Sequence, residues 1–240
     1  KPSGIWLPEA AVDLETLEVC ANCGIEFTIL APWQAKSSEQ ELLEQPARVV
    51  LANGKSISVF FYEQDLSTRV SFDPGSTMNA DQFVNDRILP KYNGMKPGDH
   101  KLLIIASDGE LYGHHQKFRD KFLQRLMNHS LEGKMVEWTY PGLWLRRFPP
   151  TRTVEIHENT SWSCMHGVAR WREDCTCTPG SMWKAPLRSA LDRLAGWLDE
   201  VYIERVTRLG IDPWELRNTY IHVINREVTV RELIDSAAGR

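Results

Sequence analysis

Apolar positions along this chain fall first into short runs and later into helical periods. Ile5-Trp6-Leu7 is a brief apolar run closed by Pro8. Asp13 or Thr16 stands where a helix N-cap is needed, ahead of a helix running to about Cys23, and Gly24 offers the left-handed stop. Phe27-Thr28-Ile29-Leu30 reads as the next strand, and the polar stretch from Lys36 to Glu44 as a helix or surface loop. Val49-Val50-Leu51 and the run Ile57 to Tyr62 flank Asn53-Gly54, a strong hairpin signal. Asp73 to Met78 reads as a loop and Ala80 to Ile88 as a short helix.

Leu102-Leu103-Ile104-Ile105 is a continuous apolar run, which predicts a buried parallel strand. Phe118, Phe122, Leu123, Leu126 and Met127 recur at helical spacing and predict a helix beginning near His115. Val136 to Tyr140 and Val154 to Ile156 are weaker strand signals. Residues 158–183 are rich in Ser, Thr, Gly, Pro, Trp and Cys, without periodicity. A loop of that length is usually functional or built around something. Leu187, Leu191, Leu194, Leu198 and Val201 predict a helix, Asp212-Pro213 opens another, and Val230 to Ala238 forms the last. Alternating strands and helices imply an α/β fold with a mostly parallel sheet or barrel, and the terminal helices imply a covering helical region.

Composition narrows the function classes. Lys and Arg number 28 against 32 Asp and Glu, a net charge of −4. Neither nucleic acid nor an anionic membrane is expected as the main partner, since both call for a basic face. Lys117-Phe118-Arg119-Asp120-Lys121 reads as a solvated helix face. With 42% hydrophobic residues the chain can repay the entropy of folding, and no apolar run approaches a membrane span. The five cysteines suit reduced thiols in a cytoplasmic protein. Cys20 and Cys23 have CxxC spacing, and Cys175 with Cys177, or these two with Cys164 and His166, offer partners for a structural zinc. Buried small hydrophobes are the simpler reading of these thiols, and no cofactor is otherwise expected. The chain opens at Lys1, without Met or a signal-peptide pattern, and reads as the start of a fragment.

Two strand-like runs are followed by an acid: Trp6-Leu7-Pro8-Glu9, and Ile104-Ile105-Ala106-Ser107-Asp108 leading into Gly109-Glu110-Leu111-Tyr112-Gly113-His114-His115. Strand C-termini of α/β sheets and barrels converge on one crevice. A pair of carboxylates there is what glycoside hydrolysis needs. Gly109 and Gly113 let the backbone approach a ligand, and His114 and His115 can bind hydroxyls. Spacing alone leaves open a helix cap for Asp108 and a dipole-stabilised surface charge for Glu9.

Gly4-Ile5-Trp6-Leu7-Pro8-Glu9 resembles the nucleophile motif of glycoside hydrolase family 57, and Asp108-Gly109-Glu110-Leu111-Tyr112-Gly113-His114 resembles its acid/base motif. Leu66 to Phe72 resembles that family's region between the two motifs, and Trp162 to Val168, with Arg170, Trp171, Asp174 and Cys175, resembles a little-characterised branch of the same family. The resemblance implies part of an incomplete (β/α)7 barrel over residues 1–183, with the hairpin inserted and a helical region over 184–240. It implies a retaining hydrolase or glucanotransferase acting on α-glucan, with Glu9 as nucleophile and Asp108 as acid/base. Such a pair lies roughly 5–5.5 Å apart. Glu110, His114, His115 and His166 become candidates for sugar binding, and Trp6, Trp33 and Trp162 for stacking on sugar faces. The His-containing first strand of that family does not occur in this sequence, so an N-terminal part of the barrel is an expected partner, beside the polysaccharide or oligosaccharide substrate. Two other readings stand beside this one: a non-catalytic carbohydrate-binding or regulatory relative, and a metal-dependent polysaccharide deacetylase-like enzyme.

Overall fold

The computed structural model describes residues 2–37, 44–96, 98–237 and 239. Positions 38–43 of the polar stretch lie outside them. The chain divides into two compact units, Lys1–Val168 and Ala169–Arg240.

The first unit is built on four strands: β1 (Gly4–Ile5), β2 (Phe27–Leu30), β3 (Ala47–Val50) and β4 (Ser56–Phe61). Their order is β1-β2-β4-β3. β2 runs parallel to both β1 and β4, and β3 is antiparallel to β4. Asn53-Gly54 makes the turn between β3 and β4; Gly54 has φ +80° and the Asn53 Oδ1 accepts from the Lys55 N–H at 2.9 Å. Helix α1 (Leu14–Asn22) follows β1, and its N-cap Asp13 accepts from the Thr16 N–H at 2.7 Å. Gly24, at φ +75°, stops it.

Both faces of the sheet are covered, as a parallel sheet requires. Leu30, Ile57, Val59 and Phe61 pack with Leu7, Leu17 and Cys20 on one face. Phe60 packs on the other with Leu102 and Trp144, the latter from helix α5 (Pro141–Arg147). A second core joins helices α2 (Gln64–Phe72), α3 (Ala80–Phe83) and α4 (Arg119–Asn128) through Leu66, Val70, Phe83, Val84, Phe122 and Leu126. A wider helical turn, Val84–Ile88, continues α3.

Three local expectations are corrected. Residues 102–105 are core but join no sheet ladder. Their neighbours' polar groups go elsewhere: the Glu63 N–H donates to the Ile104 carbonyl, and the Ala106 N–H to Ser67 Oγ. Val136–Tyr140 forms no strand, and around Val154–Ile156 there are only isolated bridges such as Ala35 to Ile156. Helix α4 begins at Arg119 and not near His115, because Phe118 is left-handed (φ +65°); Phe118 and Met127 stay exposed while Phe122 and Leu126 are buried.

The second unit is helical: α6 (Ala169–Arg172), α7 (Lys184–Arg208), α8 (Pro213–Thr219), α9 (Ile221–Ile224) and α10 (Val230–Ala237). Asp212 caps α8 by accepting from the Glu215 N–H at 2.8 Å. The Tyr202 hydroxyl donates to the Pro213 carbonyl at 2.7 Å, tying α7 to α8. The regular leucine row of α7 is not buried: Leu187, Leu191, Leu194 and Leu198 are 47–51% exposed, whereas Val206 is buried. Among the described residues no helix is long and apolar enough to cross a membrane.

Candidate active site

β1 approaches β2 so closely that a Cβ at Gly4 would lie 2.2 Å from the Phe27 ring. Past β1 the chain makes a tight 3-10 turn over Pro8–Ala10, closed by the Ala10 N–H on the Leu7 carbonyl (2.8 Å) and the Ala11 N–H on the Pro8 carbonyl (2.9 Å). Inside it Glu9 (φ 59°, ψ 18°) and Ala10 (φ 45°) are both left-handed. Such residues cost about 1–3 kcal/mol each and persist where the surroundings over-determine them, commonly at functional sites.

The surroundings of Glu9 do this on two levels. Its carbonyl accepts from the Trp162 backbone N–H at 3.0 Å. Its half-buried carboxylate accepts at Oε2 from Trp162 Nε1 (3.0 Å) and from Ser163 Oγ (2.7 Å). Asp13, not Glu9, caps the neighbouring helix. The Glu9 carboxylate is thus held by two side-chain donors from one loop.

The loop supplying those donors is itself folded tightly. Ser161 Oγ donates to the Gly167 carbonyl at 2.7 Å, and a Cβ at Gly167 would meet the Asn159 carbonyl oxygen at 2.3 Å. Four aromatic rings line up beside Glu9. Trp6 meets Trp162 edge to face at 5.0 Å, Tyr62 meets Trp162 at 6.2 Å, and Trp33 meets Tyr62 at 6.0 Å. Trp33 also donates to the Ser161 carbonyl at 3.1 Å. Trp6 and Trp33 remain 42% and 43% exposed, leaving ring faces for a ligand, whereas burial pushes the Tyr62 hydroxyl up to about 12.

Ala31 beyond β2, Tyr62 beyond β4 and Ala106 pack into one cluster with Trp162. Asp108 follows two residues after Ala106. It is exposed, precedes the 3-10 turn Gly109–Leu111, and its side chain caps nothing, so the capping explanation for this acid fails. Glu110, His114 and His115 are also exposed. The His115 N–H donates to the Glu110 carbonyl at 2.8 Å, and the two imidazoles stack 4.7 Å apart. An open cleft of about 510 Å³ begins at Tyr62 and Pro32 and extends to the Lys91–Glu63 and Lys101–Glu44 ion pairs, both 2.6 Å.

Cys20 is buried in the sheet core, and that burial, helped by Cys23, pushes its thiol up.

Sequence reading missed Gln34, Tyr62 and Ser163. Gln34 is fully buried in the 3-10 turn Pro32–Gln34 beyond β2. Its Oε1 accepts from the Ala31 N–H (2.8 Å), and its Nε2 donates to the Ala10 carbonyl (2.8 Å) and to Thr160 Oγ1 (3.2 Å). The signal was available in the strand-end rule: the residues beyond β2 merited the attention given to Glu9.

Comparison with known proteins bears on the whole arrangement. A novel exo-type maltose-forming amylase from Pyrococcus sp. ST04 superposes with a TM-score of 0.70 at 14% identity, over 98% of this chain and 44% of its own. A GH57-type branching enzyme from Pyrococcus horikoshii gives 0.54 at 20% identity, over 70% and 41%. A GH57 branching enzyme from Thermococcus kodakaraensis gives 0.53 at 18% identity, over 68% and 42%. The chain thus spans less than half the length of each of these structures, and at such identities they speak for the fold alone. A search of curated proteins found no match. The model of a domain of unknown function, DUF3536, matches residues 181–238. The model of glycosyl hydrolase family 57 matches residues 1–157, more than half of the sequence and both acidic motifs, and the chain accordingly belongs to glycosyl hydrolase family 57.

Proposed function

We propose that this chain carries the two catalytic carboxyl groups of a retaining hydrolase or glucanotransferase acting on α-glucan, with Glu9 as nucleophile and Asp108 as acid/base. The observation that carries the reading is the Glu9 carboxylate, presented from a left-handed turn past β1 and aimed by Trp162 Nε1 and Ser163 Oγ. Two donated hydrogen bonds hold that carboxylate in one orientation, as a positioned nucleophile needs. In the first step a Glu9 oxygen bonds to the anomeric carbon while the glycosidic bond breaks and Asp108 gives its proton to the departing oxygen. In the second, Asp108 takes a proton from water or a sugar hydroxyl, whose oxygen displaces Glu9. Trp6 and Trp33 would stack on sugar rings, and Glu110, His114 and His115 would bind hydroxyls. The sheet would belong to an incomplete (β/α)7 barrel spanning residues 1–183, with 184–240 as a helical region, in a cytoplasmic protein.

Turnover of an α-glucan by intact protein, compared with Glu9→Gln and Asp108→Asn variants, tests this. Loss of about 10²–10⁴-fold or more in each variant, with glucan binding retained, supports it. Glucan binding without turnover by the unaltered protein overturns it in favour of a binding or regulatory relative. Acetate release abolished by a chelator overturns it in favour of a deacetylase.

A further inference from the structure

The two holds on Glu9, one on its backbone and one on its carboxylate, meet at a single buried amide. Gln34 is 0% exposed and both polar atoms of its side chain are bonded. One Nε2 bond goes to the carbonyl of Ala10, the second left-handed residue of the Glu9 turn. The other goes to Thr160 Oγ1, two residues before the Trp162 that grips the carboxylate. Thr160 is fixed in turn: its hydroxyl donates to the His157 carbonyl at 2.8 Å, and its backbone exchanges bonds with Val12 at 3.0 and 3.3 Å. The Gln34 end is anchored as well, since its own carbonyl accepts from the His157 N–H at 2.8 Å and its Oε1 from Ala31.

We infer that Gln34 is the positioning residue of the nucleophile. Its amide keeps the Glu9–Ala10 pair in the left-handed turn and keeps the Trp162 loop in register with it, so that backbone and carboxylate are set together. This rests on the reading of Glu9 as nucleophile. The chemistry suits no close substitute. Asn is one methylene too short to span Ala31, Ala10 and Thr160, and Glu would place an acceptor against the Ala10 carbonyl. Leu fills the volume but leaves the Ala31 N–H and the Ala10 carbonyl without their partner and removes the tie to Thr160 Oγ1.

The test is the rate at which a mechanism-based fluorosugar, an activated α-glucosyl fluoride, labels Glu9 in the full-length protein, located by peptide mass spectrometry. Gln34→Leu is expected to lower the limiting labelling rate by about 10–100-fold, because small misplacements of a reacting group have effects of that size. The probe concentration giving half that rate should stay within about threefold, since Gln34 touches no ligand. Ala10→Gly placed on Gln34→Leu is expected to recover several-fold, because glycine adopts φ 45° without a Cβ clash. Gln34→Glu, which keeps the acceptor for Ala31 but removes both donated bonds, should show the same loss and provides the comparison if the Leu variant does not fold. Labelling of Glu9 at the unaltered rate in either variant overturns the positioning role alone. A loss confined to probe affinity, or no recovery with Ala10→Gly, also overturns it. Failure of the unaltered, active protein to take label at Glu9 overturns the nucleophile reading and the positioning role with it.

Discussion

Trp162 Nε1 donates to Glu9 Oε2 at 3.0 Å, across 153 residues of sequence. The same tryptophan donates its backbone N–H to the Glu9 carbonyl, so one residue grips both ends of the acid. This makes the indole N–H separable from the indole ring. Trp162→Phe keeps an aromatic ring against Trp6 and Tyr62 but removes the donor to the carboxylate. Hydrogen bonds to charged groups are worth about 1.5–3 kcal/mol, so turnover should fall by about 10–100-fold. The melting temperature should move by only a few degrees. Steady-state rates on α-glucan and a thermal melt check both halves.

Gly4 is fixed by the Phe27 ring beside it. Gly4→Ala forces overpacking where β1 meets β2, at a cost of about 1–3 kcal/mol and a fall in Tm of roughly 3–10 °C. Phe27→Leu in the Gly4→Ala background shortens the obstructing side chain and should return part of the loss. Calorimetry on the two variants decides.

Asp81 accepts from Arg125 at 3.0–3.2 Å and from Ser130 Oγ at 2.7 Å. The Arg125 hydrogen bond first, then that from Ser130, holds the Asp81 carboxyl below the ordinary value of 3.8. A carboxyl lowered in the folded state binds fewer protons there than in the unfolded chain. Its contribution is therefore complete above the ordinary value and fades as pH falls through the folded one. Asp81→Asn should lower the urea midpoint at pH 7, and the gap from the unaltered protein should close toward pH 2–3, in steps of the carboxylate titration.

The strand and turn that carry Glu9 were legible in the sequence because apolar run, proline and acid are adjacent, within Trp6-Leu7-Pro8-Glu9. Gln34 was not, because its meaning lies in partners 24 and 126 residues away, and a buried amide looks like any polar loop residue in the sequence. The hairpin and the Asp13 cap were legible for the same local reason as that turn: turn and cap chemistry is carried by one or two residues. The Leu102–Ile105 run shows the limit. Its hydrophobicity correctly indicated burial, but strand or not depends on where its neighbours send their hydrogen bonds, and Glu63 and Ser67 take them. The leucine row of α7 shows the converse, a periodicity that fixes a helix without saying what, if anything, covers it.

The paired bonds between Val12 and Thr160, with that from Trp162 to Glu9, form a short rung-like stitch between two segments outside the named strands. Deuterium uptake should reveal it as an island of slow exchange. The amide protons of Val12, Thr160 and Trp162 should resist exchange like those of β2 and β4, while flanking loop amides exchange within seconds to minutes. Protection is set by the free energy of opening rather than by the type of secondary structure. A stretch drawn as loop would thus be among the last parts of this chain to open, and it is the stretch on which the acid rests.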